Sequence, residues 1–187
     1  MNHPAELAIN QYLEDATSGK STMSEETVQQ IGNDVMDAMR RQFGGGKGRD
    51  EFRLRMSNIG KPTCQLWFAK NKPEEALPKP TTFVMNMLLG DIVEAAFKGI
   101  IKEAGYPYED KDNFVTLQLG DAMIKGSYDI VVDGAMDDVK SASDWSYRNK
   151  FESYDTLQKS DPFGYVGQLA GYAKASGKKV GRSEEHT

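Results

Sequence analysis

Residues 113–142 constrain the fold of this chain more than any other stretch. Gly120-Asp121 and Asp133-Gly134 are turn dipeptides, and they cut the stretch into runs too short for packed helices. Val115, Leu117 and Leu119 alternate along the first run, Ile124 to Val132 make the second, and Met136 to Ala142 the third. Apolar residues at period two describe strands with one face on a core. The spacing predicts a three-stranded meander whose last hairpin turns at Asp133-Gly134, with Asp133 as a turn residue.

The meander carries charge that a strand does not need for its own stability. Strand side chains alternate, so Asp138 and Lys140 share a face, Val139 takes the other, and Asp129 lies on the partner arm. Asp137 is adjacent, but only Asp138 has the spacing that shares a face with Lys140. Two carboxylates held close repel, and a bound divalent cation removes that cost. The single cysteine, Cys64, excludes an intramolecular disulfide or a multi-cysteine zinc site, and the two histidines, His3 and His186, lie near the termini. A metal site in this chain is therefore built from carboxylates, which favour Mg2+ or Mn2+. Two carboxylates, a hard cation and a lysine are the equipment of phosphodiester hydrolysis.

The surrounding sequence reads as helices and links. Residues 5 to 16 and 24 to 43 are predicted helices, the second capped by Ser24, with Glu25 and Glu26 in its first turn and a stripe of Val28, Ile31, Val35 and Met39. Gly44-Gly45-Gly46 ends it, and GGGKGR at 44–49 is read as a flexible linker, because it follows a helix and no Ser or Thr follows Lys47. Residues 52–71 read as a turn entering a short helix, with Cys64 as a small buried hydrophobe. Residues 81–104 are the most apolar helical stretch, expected to pack across the sheet, and place Glu94 among Ile92, Val93, Ala95, Ala96 and Phe97. Residues 144–159 interleave Trp145, Tyr147 and Phe151 with Arg148 and Lys150, types that stack bases and pair phosphates, or else core aromatics beside solvated charges. Asp161-Pro162 opens a last helix running to about Ser176, with Gly177 as its stop.

Three function classes recede on composition. A net charge of −5 argues against coating nucleic acid through bulk charge, so such a partner must be met locally. Neither an apolar run of about 18 residues nor a secretory signal is present, which leads to the expectation of a cytoplasmic protein without a membrane partner. Lys178-Lys179-Val180 reads as the start of a strand, whereas Arg182 to Thr187 resemble a translated sequencing-library adapter and are set aside. On that reading the chain is a fragment lacking C-terminal elements.

Gly126-Ser-Tyr-Asp129, Asp138-Val-Lys140 and Gln168-Leu-Ala-Gly-Tyr172, in that order, resemble the PD-(D/E)XK nuclease superfamily, specifically its RecB-like exonuclease branch. Gly90-Asp-Ile-Val-Glu94 resembles that branch's helical acidic motif, and Arg55-x-Ser57-x-x-Gly60 with Cys64 its N-terminal segment, so the likeness spans about residues 53–175. The resemblance implies a restriction-endonuclease-like α/β fold, a mixed sheet flanked by helices, over residues 51–180, preceded by a helical extension at 1–50 and followed by the non-native tail at 181–187. It implies a Mg2+- or Mn2+-dependent DNA nuclease, an exonuclease serving replication, recombination or repair in a bacterium or phage-infected host cytoplasm.

Glu94, Asp129, Asp138 and the Val139 carbonyl would hold the metal, Lys140 would position the attacking water, and Gln168 and Tyr172 would steady Lys140 or the scissile phosphate. Arg55, Ser57, Arg148 and Lys150 are the candidate DNA contacts. Some relatives bind an iron-sulfur cluster through one N-terminal and three later cysteines; this chain, with Cys64 alone, has no second ligand for one. The alternatives are a non-catalytic DNA-binding or assembly module on the same fold, and an endonuclease or junction resolvase.

Overall fold

The structure, a computed structural model, describes residues 3–44, 52–159, 161 and 163–180, apart from the side chains of residues 154 and 158. In chain order its elements are α1 (Pro4–Thr17), α2 (Glu25–Phe43), α3 (Thr63–Asn71), α4 (Thr81–Glu103), β1 (Tyr108–Glu109), β2 (Phe114–Leu119), β3 (Ala122–Ser127), β4 (Ile130–Val132), β5 (Ala135–Asp137), α5 (Asp144–Ser146), α6 (Tyr154–Lys159), α7 (Tyr165–Ser176) and β6 (Lys179–Val180). The class is mixed α/β. The chain divides into two compact units, Met1–Gly46 with Pro80–Glu109, and Lys47–Lys79 with Asp110–Thr187.

The first unit is helical, and α4 groups with the N-terminal helices α1 and α2 rather than with the strands. Ser24 caps α2 as expected, its hydroxyl oxygen accepting the Thr27 N–H at 3.3 Å. The expected apolar stripe is displaced: Val28 and Met39 are exposed, and the face turned to α4 buries Thr27 and Ala38 instead. The reason is close approach. A Cβ at Gly99 of α4 would run into the side chains of Ile31 and Thr27, so the bare backbone of α4 at this seam is what admits Ile31, the stripe residue that does face it. At its edge the Glu103 carboxylate accepts from the Ser24 N–H (3.1 Å), the Ser24 hydroxyl (2.6 Å) and the Thr27 hydroxyl.

In the second unit α7 lies on the strands, packing on β2, β5 and β6. The core joins Met56, Leu117, Ile124, Tyr128, Val131, Met136, Tyr172 and Ala173. β2 and β3 form a separate antiparallel pair, Phe114 opposite Ser127 through Leu119 opposite Ala122. β4 runs antiparallel to β5, with Ile130 opposite Asp137, and β5 runs parallel to β6, with Ala135 opposite Lys179, so this ladder is mixed. The connection from β5 to β6 passes through α7.

The meander therefore differs from its expected form in two places. The run Ile124–Val132 is not one strand: it breaks at Tyr128-Asp129, and β3 and β4 enter different sheets. Asn113 makes the break affordable in hydrogen bonds, since its carbonyl accepts the Tyr128 N–H at 3.2 Å and its side-chain amide donates to the Tyr128 carbonyl at 2.7 Å. The return arm also stops early, at Asp137 rather than Ala142. Both turns hold: Gly120 has φ 58°, and Asp133 and Gly134 have φ 50° and 75°, the positive values that a two-residue hairpin turn requires.

The ends of α7 agree with the sequence only in part. Gly177 stops the helix in the left-handed region, φ 71°, but the first helical residue is Tyr165 rather than Pro162, which lies outside the described residues. Asp161 still caps it, accepting the N–H groups of Tyr165 and Val166 at 2.9 Å each across the tight turn at Gly164. Residues 45–49 of the Gly-rich linker and the tail from 181 also lie outside the described residues, whereas the strand expected at Lys179-Val180 is present.

Candidate functional site

Asp129, Asp138, Val139 and Lys140 meet where β4 begins and β5 ends. Asp129 occupies the bend between β3 and β4, one residue beyond the last ladder pair, Ile130–Asp137. There its carboxylate replaces the ladder: Oδ2 accepts the Val139 N–H at 2.9 Å. That bond ties Val139 to the start of β4 after the ladder has ended at Asp137.

Asp138 is 6% exposed, and a carboxylate so buried needs a charged or hydrogen-bonded partner. Lys140 supplies it, with Nζ 2.6 Å from Asp138 Oδ2. The same Nζ stands 3.5 Å from the Val139 carbonyl oxygen and 3.9 Å from Asp129 Oδ2. Three oxygens, from Asp129, Asp138 and Val139, thus converge on one ammonium. Burial disfavours the Lys140 charge, but Asp138 and Asp129, with the hydrogen bond to Asp138, outweigh it and hold the ammonium above the ordinary lysine range.

α7 closes the site from one side. Tyr172 is buried, its ring edge-on to Tyr128 with centroids 6.3 Å apart, and Gln168 lies one turn back on the same helix. Burial, with smaller contributions from Asp138 and Asp129, pushes the Tyr172 hydroxyl above the usual tyrosine range against the opposing effect of the Gln168 side chain. The glycine of the G-x-x-D run has a steric cause: a Cβ on Gly126 would lie 2.7 Å from Met56 Cγ and 2.9 Å from the Tyr172 hydroxyl oxygen. The N-terminal segment joins the same construction. A Cβ on Gly60 would come within 2.8 Å of Gly164 Cα, so these two turns, both at positive φ, touch backbone to backbone.

The other expected site residues lie elsewhere. Glu94 is on α4 in the first unit, where its carboxylate takes the Lys98 ammonium at 2.6 Å. Among the described residues no three His, Cys, Asp or Glu side chains form a metal-holding group. Arg55 and Ser57 are exposed on the short helical turn around buried Met56. Arg148 pairs with Asp144 at 3.0 Å, both largely exposed, and Lys150 lies over the Trp145 ring, 5.8 Å from its centroid. Trp145, 64% exposed, is not a core aromatic. Cys64 is exposed rather than buried, because α3 turns no residue into the core.

One residue of the site escaped the sequence reading. The Tyr165 ring lies beneath Lys140 Nζ, 5.7 Å to its centroid, and joins Phe151 and Phe163. Its signal was present in the helix period, since 165, 168 and 172 share one face of α7.

Comparison with protein-family models, with curated proteins and with solved structures gives no match. Among the described residues no helix is long and apolar enough to cross a membrane.

Proposed function

We propose that this chain is a metal-dependent DNA nuclease of exonuclease type, with its reactive centre at Asp129, Asp138 and Lys140. The supporting observation is the convergence of Asp129 Oδ2, Asp138 Oδ2 and the Val139 carbonyl on a single positive charge. That set is all oxygen and carries two negative charges, which suits Mg2+ or Mn2+ that keeps several waters and takes few protein ligands. Asp129, Asp138 and the Val139 carbonyl would hold the ion, and bound there it would activate water and neutralise phosphate charge. Lys140, ammonium already in place, donates to the phosphate oxygens or orients the attacking water. Gln168 and Tyr172 would steady Lys140 or the scissile phosphate, and Asp129 keeps the Val139 carbonyl in register by holding its N–H. In this reading the nucleic acid is DNA handled in replication, recombination or repair; the resemblance adds Glu94 to the acidic set, and Glu94 stands on α4 in the first unit, paired with Lys98.

A non-catalytic DNA-binding or assembly module is the second reading, and the engagement of Glu94 by Lys98 favours it. End-labelled linear DNA and closed circular DNA, incubated with the folded protein in Mg2+, Mn2+ or chelator, separate the two. Metal-dependent loss of linear DNA, absent in Asp138→Ala and Lys140→Ala, is the expected result. Cutting of the circle identifies an endonuclease, and no cleavage by the folded protein leaves the module.

A further inference from the structure

We infer that Phe163, Tyr165 and Phe151 form a stacking shelf for the unpaired bases of a DNA single strand whose phosphate lies at Lys140. The inference rests on the nuclease reading for the identity of the strand, and on the second unit's geometry for the rest. Tyr165 lies between the other two rings: its centroid is 5.6 Å from Phe163, with planes 35° apart, and 6.0 Å from Phe151, with planes 43° apart. Lys140 Nζ sits over the same Tyr165 ring, 5.7 Å from the centroid. The row therefore meets the charged centre at its middle ring and reaches solvent at Phe163, which is 53% exposed.

Neither Phe151 nor Phe163 belongs to the core that α7 builds with the strands, and Phe163 sits on the tight turn that Asp161 and Gly164 fix before α7. Phe151 ends the segment that also displays Trp145, 64% exposed, with Lys150 over its ring. Aromatic faces interleaved with single cations suit a strand whose bases stack and whose phosphates are met one at a time. Duplex DNA keeps its bases stacked inside and is held chiefly through its phosphates, which an acidic chain with few local cations does poorly. The substrate class is therefore single-stranded DNA, or the frayed end of a duplex, with little sequence preference, because every base offers a π-face.

Fluorescence anisotropy on the whole chain tests this, in chelator so that no strand is cut, with dye-labelled oligothymidylate and a blunt-ended duplex of equal length as probes. Tighter binding of the oligothymidylate is expected. Phe163→Ala and Phe163→Leu should each weaken it about tenfold, while Phe163→Trp retains it. Circular dichroism matching the parent chain shows that each variant is folded. Unchanged affinity in Phe163→Ala, equal binding of the duplex, or no binding by the folded protein overturns the shelf. Cleavage of linear DNA in Mg2+ is read separately: cleavage with unmoved affinities removes the shelf and keeps the nuclease, whereas the expected affinities without cleavage keep the shelf and remove the nuclease.

Discussion

Asp129 Oδ2 accepts the backbone N–H of Val139 at 2.9 Å, so one carboxylate both closes the strand pair and faces Lys140. The two roles separate by substitution. Asp129→Asn keeps a carbonyl oxygen for the N–H but removes the charge, and should fold like the parent while losing metal-dependent cleavage. Asp129→Ala leaves the N–H without its acceptor, at a cost of about 1–3 kcal/mol, and should lower the urea midpoint as well. Loss of stability in both variants alike would show that the charge itself, rather than the acceptor, holds the turn.

Lys140 is the cation on which Asp129 and Asp138 converge, and its removal should create a demand for another. Asp138 is 6% exposed and Lys140 29% in their side chains. Breaking such a pair leaves a charge uncompensated, which for this half-open site costs about 1–3 kcal/mol. Lys140→Met should therefore unfold at lower temperature in chelator, and Mn2+ should recover part of that loss, by more than it shifts the parent chain. Equal Mn2+ shifts in both proteins would count against a cation site at these carboxylates.

Gly126 is bare because two atoms occupy the space of its side chain. An added Cβ would meet Met56 Cγ at 2.7 Å and the Tyr172 hydroxyl at 2.9 Å, both belonging to buried residues. Overpacking of this kind costs about 1–3 kcal/mol. Gly126→Ala should lower the urea midpoint with an unchanged slope. Because the displaced Tyr172 lies in the field of Asp138, Asp129 and Lys140, cleavage should fall further than the folded fraction does.

What the sequence made legible, and what it concealed, follows from the range of the forces involved. Ser24 as a cap, Gly120 and the Asp133-Gly134 turn, and Gly177 as a stop are set by residues within a few positions, and each stands where expected. The break at Tyr128-Asp129 was not legible, because its hydrogen bonds come from Asn113, fifteen residues away. Val28 and Met39 read as core by hydrophobicity alone; at the seam Gly99, on another helix, makes room for Ile31 and Thr27, and Val28 and Met39 are left exposed. At the site, Asp138 and Lys140 were legible because they are two residues apart. Glu94 was tied to them only by the resemblance, and the structure gives it a local partner, Lys98. Tyr165 stands on the same α7 face one turn before Gln168, but its contact with Lys140 joins positions 25 residues apart and no local motif marks it.

The first unit has a pH dependence of its own, centred on Glu103. Hydrogen bonds from the Ser24 hydroxyl, the Thr27 hydroxyl and the Ser24 N–H hold its carboxyl below the usual glutamate range. A carboxylate whose folded value lies below its unfolded one adds stability that is present above the unfolded value, about 4.3, and is lost as pH falls through the folded value. Glu26, lowered by its hydrogen bond and ion pair with Lys102, has the same sign. Helical signal should therefore melt at lower temperature at pH 3 than at pH 6, beyond the change seen in Glu103→Gln. That variant lacks the titrating group, so it should melt below the parent at pH 6 and converge with it toward pH 3. A gap of constant size across this range would mean that Glu103 contributes through packing of α2 on α4 and not through its charge.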